Sequence, residues 1–188
     1  MSQTSTVTAS TPTSTDATTS PDREELTWEL FGTASRELSA QVVASGWVPD
    51  LIIAVARGGL IPAGAISYAI GVKAMGSMNV EFYTGIGETL AEPVVLPPLM
   101  DASELPGKKV LVVDDVADSG KTLRMVMELL RHEGLQLVPV EARSACIYLK
   151  PRSVHRPDYV WRETDKWINF PWSVAPVITQ ENLAVLGL

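Results

Sequence analysis

Lys109-Val110-Leu111-Val112-Val113-Asp114-Asp115-Val116-Ala117-Asp118-Ser119-Gly120-Lys121-Thr122-Leu123 is the stretch whose reading decides the fold. Residues 110–113 form an unbroken apolar, mostly β-branched run, which predicts a strand buried on both faces. Asp114, Asp115 and Asp118 then crowd acids into a turn, and Ser119-Gly120-Lys121-Thr122 opens a helical pattern of Leu123, Met125, Val126, Leu129 and Leu130. The segment reads as strand, acidic turn, helix.

Backbone N–H groups at a helix N-terminus, aided by Ser119, Thr122 and the permissive Gly120, make an anion site whose usual occupant is phosphate. Asp114 and Asp115 would repel a polyphosphate unless they met hydroxyl groups or a bridging divalent cation. A sugar phosphate answers both demands: the acids take the ribose hydroxyls and Mg²⁺, while the turn takes the 5-phosphate. Gly120-Lys121-Thr122 is not an ATP-binding P-loop, because that motif requires glycine where Asp115 stands. The whole stretch resembles the phosphoribosyl-diphosphate (PRPP) signature of the type I phosphoribosyltransferases: a hydrophobic strand, two acids, two further residues, then Asp-Ser/Thr-Gly-x-Thr. That resemblance implies PRPP contacts from Asp114, Asp115, Ser119, Gly120, Lys121 and Thr122.

The bulk composition fits such a protein. The chain has 188 residues, 46% hydrophobic and 20% charged, enough for one core. With 15 Lys and Arg against 22 Asp and Glu, its formal charge of -7 argues against nucleic acid as a bulk electrostatic partner. Cys146 is the only cysteine, so no intrachain disulfide exists, and a reducing cytoplasm is the simplest location. Residues 1–21 read as a disordered Ser/Thr-rich tail with neither a basic signal-peptide start nor transit-peptide arginines. Residues 22–188 read as a single domain. No apolar run reaches the roughly 20 residues of a membrane span.

Thr27 is the expected N-cap of a helix carrying Trp28, Leu30, Phe31, Ala34, Leu38 and Val42. Gly46 to Asp50 break it and lead into a second apolar strand, residues 51–56. Arg57-Gly58-Gly59 follows, then a helix over 60–70 with Pro62 in its first turn. Buried strand, Gly-containing turn and helix thus occur twice, the first turn carrying a cation in place of acids. Diphosphate suits that chemistry, and the family resemblance places Arg57, Gly58 and Gly59 against the diphosphate of PRPP. A strand is expected over 78–83 and another at 94–96, and the segment 84–93 between them resembles the family's catalytic lid. Strand is also expected over 137–140 and 145–149. The alternation predicts an α/β fold, a parallel twisted sheet flanked by helices, with ligands at the C-terminal strand ends.

The last third carries a second cluster of aromatics. Lys150 follows a strand and, as a pure donor, bonds a ring carbonyl but not an exocyclic amine, while a Trp near a strand end stacks on a planar base. Together they point to a 6-oxopurine. Trp161 and Trp172 read as packing residues. Lys-Pro, an extended strand and Trp-Ile-x-x-Pro-Trp resemble the base-binding hood of the xanthine-guanine phosphoribosyltransferases, here about residues 150–188. The resemblance implies that Lys150 contacts the purine 6-oxygen, Trp167 stacks on the ring and the Ile168 backbone reads the 2-position. It also implies that Asp118 acts as general base on N7, Asp115 holds the metal side, Asp114 holds ribose, and the enzyme is a homo-oligomer. Asn169 stands where an acid is expected, leaving xanthine, guanine and hypoxanthine open. The competing readings are a PRPP- or nucleotide-sensing regulator of the same fold and a pyrimidine transferase.

Overall fold

The computed structural model describes residues 22–81, 84–85, 88–89, 94–95, 107–133 and 141–183. The expected tail, most of the expected lid and the strand expected over 137–140 lie outside these residues. In chain order the elements are β1 (Arg23–Glu25), α1 (Trp28–Ala44), β2 (Leu51–Ala56), α2 (Leu60–Ile70), β3 (Met75–Glu81), β4 (Thr84–Gly85), β5 (Glu88–Thr89), β6 (Val94–Val95), β7 (Lys109–Ala117), α3 (Lys121–Glu128), β8 (Glu141–Leu149), β9 (Tyr159–Glu163) and β10 (Trp167–Asn169). A π-helical turn, Leu129–Glu133, extends α3.

The apolar run of β7 lies inside a six-stranded sheet of order β6-β3-β2-β7-β8-β9. Every pairing is parallel except that of β6 on the edge. Both faces of the sheet are covered, which is why β2 and β7 needed continuous apolar runs. Ile53, Val55, Val110 and Val112 pack on one face with Leu123, Val126 and Met127 of α3. Ile52, Ala54, Leu111 and Val113 pack on the other with Leu38, Val42, Ala63 and Ile66 of α1 and α2. A third cluster joins Leu26, Phe31 and Ala34 to Ile147, Tyr148, Ile168 and Phe170.

Thr27 caps α1 as expected, its Oγ1 accepting from the Leu30 N–H at 3.2 Å. Several boundaries differ from the sequence reading: the strand expected over 78–83 is Met75–Glu81, the one expected over 145–149 starts at Glu141, and three further differences bear on the site. The strand expected to end before Asp114 runs to Ala117, because β8 continues beside it and pairs Asp114 with Cys146, Val116 with Tyr148 and Ala117 with Leu149. Among the described residues regular structure starts at Arg23 rather than near Thr27, because β1 gains a parallel partner in β10, with Arg23 opposite Trp167 and Glu25 opposite Asn169. Helix α3 begins at Lys121, with Gly120 in a left-handed conformation (φ 73°) ahead of it.

Gly59 marks the tightest backbone approach. A Cβ there would press on the carbonyl oxygens of both Val113 and Val55. Gly64, inside α2, has open space in the same position. Gly59→Ala should therefore cost about 1–3 kcal/mol through overpacking, whereas Gly64→Ala should stabilise by about 0.5–1 kcal/mol through helix propensity. Urea unfolding of the two variants checks the opposite signs.

Candidate active site

Three loops leave the C-terminal edge of the parallel sheet together: 57–59 after β2, 118–120 after β7 and 150–158 after β8. That edge is where open α/β sheets place ligands. In the first loop the Ala56–Arg57 peptide is cis. Gly58 lies against its neighbour, so that a Cβ there would fall on the Asp115 carboxylate and displace it. Arg57, Gly58, Asp115, Trp172 and Ser173 line a cavity of about 870 Å³.

Asp114 and Asp115 sit at the end of β7 in an electrostatically costly arrangement. Burial, then repulsion from Asp115, pushes the Asp114 carboxyl well above the usual carboxylate range, although the Asp115 N–H donates to its Oδ1 at 2.9 Å. Burial also raises Asp115, while backbone N–H groups and the Trp172 side chain act against the shift. Cys146 lies opposite Asp114 in β8; full burial pushes its thiol up, as befits an inert strand residue. Among the described residues, no three His, Cys, Asp or Glu side chains cluster to hold a metal by themselves.

The turn after β7, where phosphate binding is expected, rests on the β8–β9 connection. The Val154 N–H donates to the Ser119 carbonyl at 2.9 Å, and Gly120 lies so close to Ser153 and His155 that a Cβ would collide with both. Ser119 Oγ accepts from the Lys121 N–H at 3.4 Å. Residues 119–122 line neither of the two cavities described here; Asp118 lines the second. Arg152 grips Asp118, its Nε and one terminal nitrogen reaching Oδ1 at 2.9 and 2.5 Å.

That second cavity, about 450 Å³, lies under the hood and is lined by Asp118, Lys150, Arg152, Trp167, Ile168 and Asn169 among others. The Lys150 side chain is buried and its ammonium donates to the Lys166 carbonyl, which anchors it beside the hood. Burial lowers its pKa. The Trp167 ring is 69% exposed, an unusual cost for an indole unless a planar partner covers it. In β10 the Trp167 N–H donates to Asp22 and the Asn169 carbonyl accepts from Leu26. Alternation along a parallel ladder turns the Ile168 N–H and C=O away from β1, leaving that donor and acceptor for something else. Its side chain is buried in the hood core.

The structure thus brings Arg57, Gly58 and Asp115 to one cavity and Asp118, Lys150, Trp167 and Ile168 to another, with Ser173 lining both. Trp161 is a packing residue as expected, edge-on to Tyr148 and bonded to Glu37 at 2.7 Å. Trp172 packs against Phe170 and Phe31 but also lines the cavity beside Asp115 and favours its charged form, a proximity the sequence reading did not foresee. Arg152 and Arg23, which also lines the hood cavity, were likewise missed. Arg152 stands two residues after Lys150 and could have been weighed with it; nothing local marks Arg23 or Trp172.

Folding raises both acids of β7, so the folded protein keeps protons that the unfolded chain releases. Their contribution favours the fold below the ordinary carboxylate range near about pH 4 and is lost as pH rises through the folded-state values. Asp114→Asn should flatten that decline and raise the melting temperature of the ligand-free protein near pH 7, by about 2–4 °C per kcal/mol relieved. Melting curves of both proteins from about pH 5 to about pH 8 test this.

The model of the phosphoribosyl transferase domain matches residues 24–178. The xanthine-guanine phosphoribosyltransferase of Gluconobacter oxydans is 35% identical over 154 residues, 81% of this chain and 85% of that protein. A purine phosphoribosyltransferase structure from Pyrococcus horikoshii superposes with TM-score 0.68 at 39% identity, over 85% of this chain and 99% of the other. The xanthine-guanine-hypoxanthine phosphoribosyltransferase of Helicobacter pylori gives 0.67 at 25% identity, covering 81% and 94%. The sheet, the paired acids on β7 and the loops gathered at its edge have the same explanation as these matches: the chain belongs to the phosphoribosyl transferase domain family.

Proposed function

We propose that this protein is a purine salvage enzyme that transfers the 5-phosphoribosyl group of PRPP to a 6-oxopurine, releasing diphosphate. The observation that carries the reading is the hood cavity, in which a Lys ammonium, an exposed indole and an unpaired strand edge meet the Asp118 carboxylate. Lys150 donates to the 6-oxygen, Trp167 stacks on the ring and the Ile168 backbone reads the 2-position. The same three elements disfavour a pyrimidine-specific transferase, and the named purine transferases among the relatives weigh against a purely regulatory role.

In the reaction a ring nitrogen of the base forms a bond to the anomeric carbon as the bond to diphosphate breaks. Arg57 and the Gly58 amide stabilise charge growing on diphosphate; the expected part of Gly59 in this falls away, because its N–H already donates to the Val55 carbonyl at 2.9 Å and it serves instead as the close-packing residue of the turn. Ser119 to Thr122 hold the 5-phosphate, and Asp114 takes the ribose hydroxyls. Asp118 accepts the proton leaving N7; both Arg152 bonds fall on its Oδ1, which leaves Oδ2 for the base. The Asp114–Asp115 pair fits Mg²⁺ of the kind that arrives with phosphates, because such ions use one or two carboxylates plus substrate oxygens, and the raised carboxyls gain from a nearby cation. Asp115 is the residue on the metal side, and the ion supplies charge neutralisation to the leaving diphosphate.

The setting we favour is a cytoplasmic homo-oligomer. Helix α2 is apolar nearly all round yet leaves Tyr68 93% and Leu60 47% exposed, as a helix covered by a second copy would. Among the described residues no helix is long and apolar enough to cross a membrane.

Diphosphate release from PRPP and Mg²⁺, with guanine, xanthine, hypoxanthine, adenine, uracil and orotate in turn, tests the reading. Release should occur with 6-oxopurines alone, and its absence with every base would defeat the proposal. Asp118→Asn should lower turnover by about 10²–10⁴-fold while PRPP affinity changes little. Lys150→Ala should reduce kcat/KM for 6-oxopurines by about 10⁴-fold, the scale set when a site built around a polar contact loses it. A variant that still handled guanine and hypoxanthine like the parent would remove Lys150 from the base site.

A further inference from the structure

Arg23 lines the hood cavity, although it comes from the opposite end of the chain to the rest of the hood. The parallel pairing of β1 with β10 sets it opposite Trp167, on the strand face shared by Trp167 and Asn169. One terminal nitrogen of Arg23 donates to Asn169 Oδ1 at 2.9 Å, and Asn169 Nδ2 donates to Glu25 Oε2 at 2.9 Å. This chain settles the Asn169 amide without ambiguity, because guanidinium only donates and carboxylate only accepts. Among the described residues Arg23 forms no ion pair with an acid, since the side chain it meets is a neutral amide.

The 6-oxopurines differ at position 2. Guanine carries an amine, which donates; xanthine carries an oxygen, which accepts; hypoxanthine carries hydrogen. The Ile168 backbone offers both a donor and an acceptor and so does not choose between the first two. The choice falls to the neighbouring side chains. An acid at position 169 would accept from an amine and neutralise Arg23. Asn169 instead turns its carbonyl toward Arg23 and its amide nitrogen toward Glu25, so the rim of the hood presents unspent guanidinium donors. Xanthine is also the 6-oxopurine that sheds a ring proton most readily, and the Arg23 guanidinium favours it further against the two carboxylates, Asp118 and Asp165, that line the same cavity.

Building on the proposed 6-oxopurine function, we infer that Arg23, held in place by Asn169, is a specificity-determining residue that selects a purine with a 2-oxo group, xanthine, over guanine. The Arg23–Asn169–Glu25 chain gives the pairing of the two ends of the protein a role in choosing substrate.

The test is steady-state kcat/KM for xanthine, guanine and hypoxanthine with the full chain at saturating PRPP and Mg²⁺. The parent should favour xanthine over guanine. Arg23→Gln should lower the xanthine-to-guanine ratio by about tenfold or more, the scale of one hydrogen bond to a charged group, mainly through KM for xanthine. Arg23→Lys should recover part of that loss. Asn169→Asp, which neutralises Arg23 without removing it, should move the ratio the same way, and it carries the test should Arg23→Gln fail to fold. A parent that prefers guanine, or variants that slow all three bases equally, would overturn the assignment of Arg23 while leaving the transferase reading intact. A parent that uses none of the three would instead overturn the 6-oxopurine reading on which the inference rests.

Discussion

The site depends on one close approach between two loops. The turn after β2 and the end of β7 come together with no room for a side chain on either glycine: Gly58 meets the Asp115 carboxylate and Gly59 meets the carbonyls of Val55 and Val113. Bare backbone at this point lets Gly58 and the Asp115 carboxylate share one cavity with Arg57. A side chain on Gly59 would press on two backbone carbonyls and move the first loop away from β7, whereas one on Gly58 would displace the Asp115 carboxylate from the cavity it shares with Arg57.

That approach has an electrostatic cost. Asp114 and Asp115 stand side by side in a largely desolvated position, and folding makes both harder to ionise. Apolar residues there would stabilise the ligand-free protein. Under the proposed function, ribose hydroxyls and a divalent cation in the loaded site would reward the charge that the ligand-free fold penalises. Backbone donation from Asp115 and a Trp172 contact hold the acids in position meanwhile. Stability is given up where ligand chemistry needs it.

The hood solves a different problem. A strand of three residues cannot persist alone, so β10 is supported on one edge by β1 and beneath by Leu26, Phe31, Tyr148, Ile168 and Phe170. With β1 on one side, the Ile168 N–H and C=O face the other edge of β10, which has no strand partner among the described residues. The Arg162–Glu24 ion pair at 2.8 Å further ties β9 to β1. The exposed Trp167 and buried Ile168 follow from strand alternation, one residue facing outward and the next facing the core.

Residues 109–123, 51–59 and 150–168 carried most of the fold and the candidate site in the sequence itself. Apolar runs, Gly turns and acids at fixed offsets are local signals, set by backbone sterics and charge within a few residues. Thr27 as cap, β2, α2 and the order of site residues were legible for that reason. The extension of β7 to Ala117 was not, because it depends on β8 continuing alongside. Nor was β1, a polar Arg-Glu-Glu run that is a strand only because β10 offers it hydrogen bonds. Arg152 on Asp118, Trp172 on Asp115 and Arg23 on Asn169 likewise join positions 34 to 146 residues apart. The sequence by itself determined which chemistry is available and on which turns. Tertiary structure alone decided which side chains share a cavity, because that pairing is made by sheet order and packing rather than by neighbours in the chain.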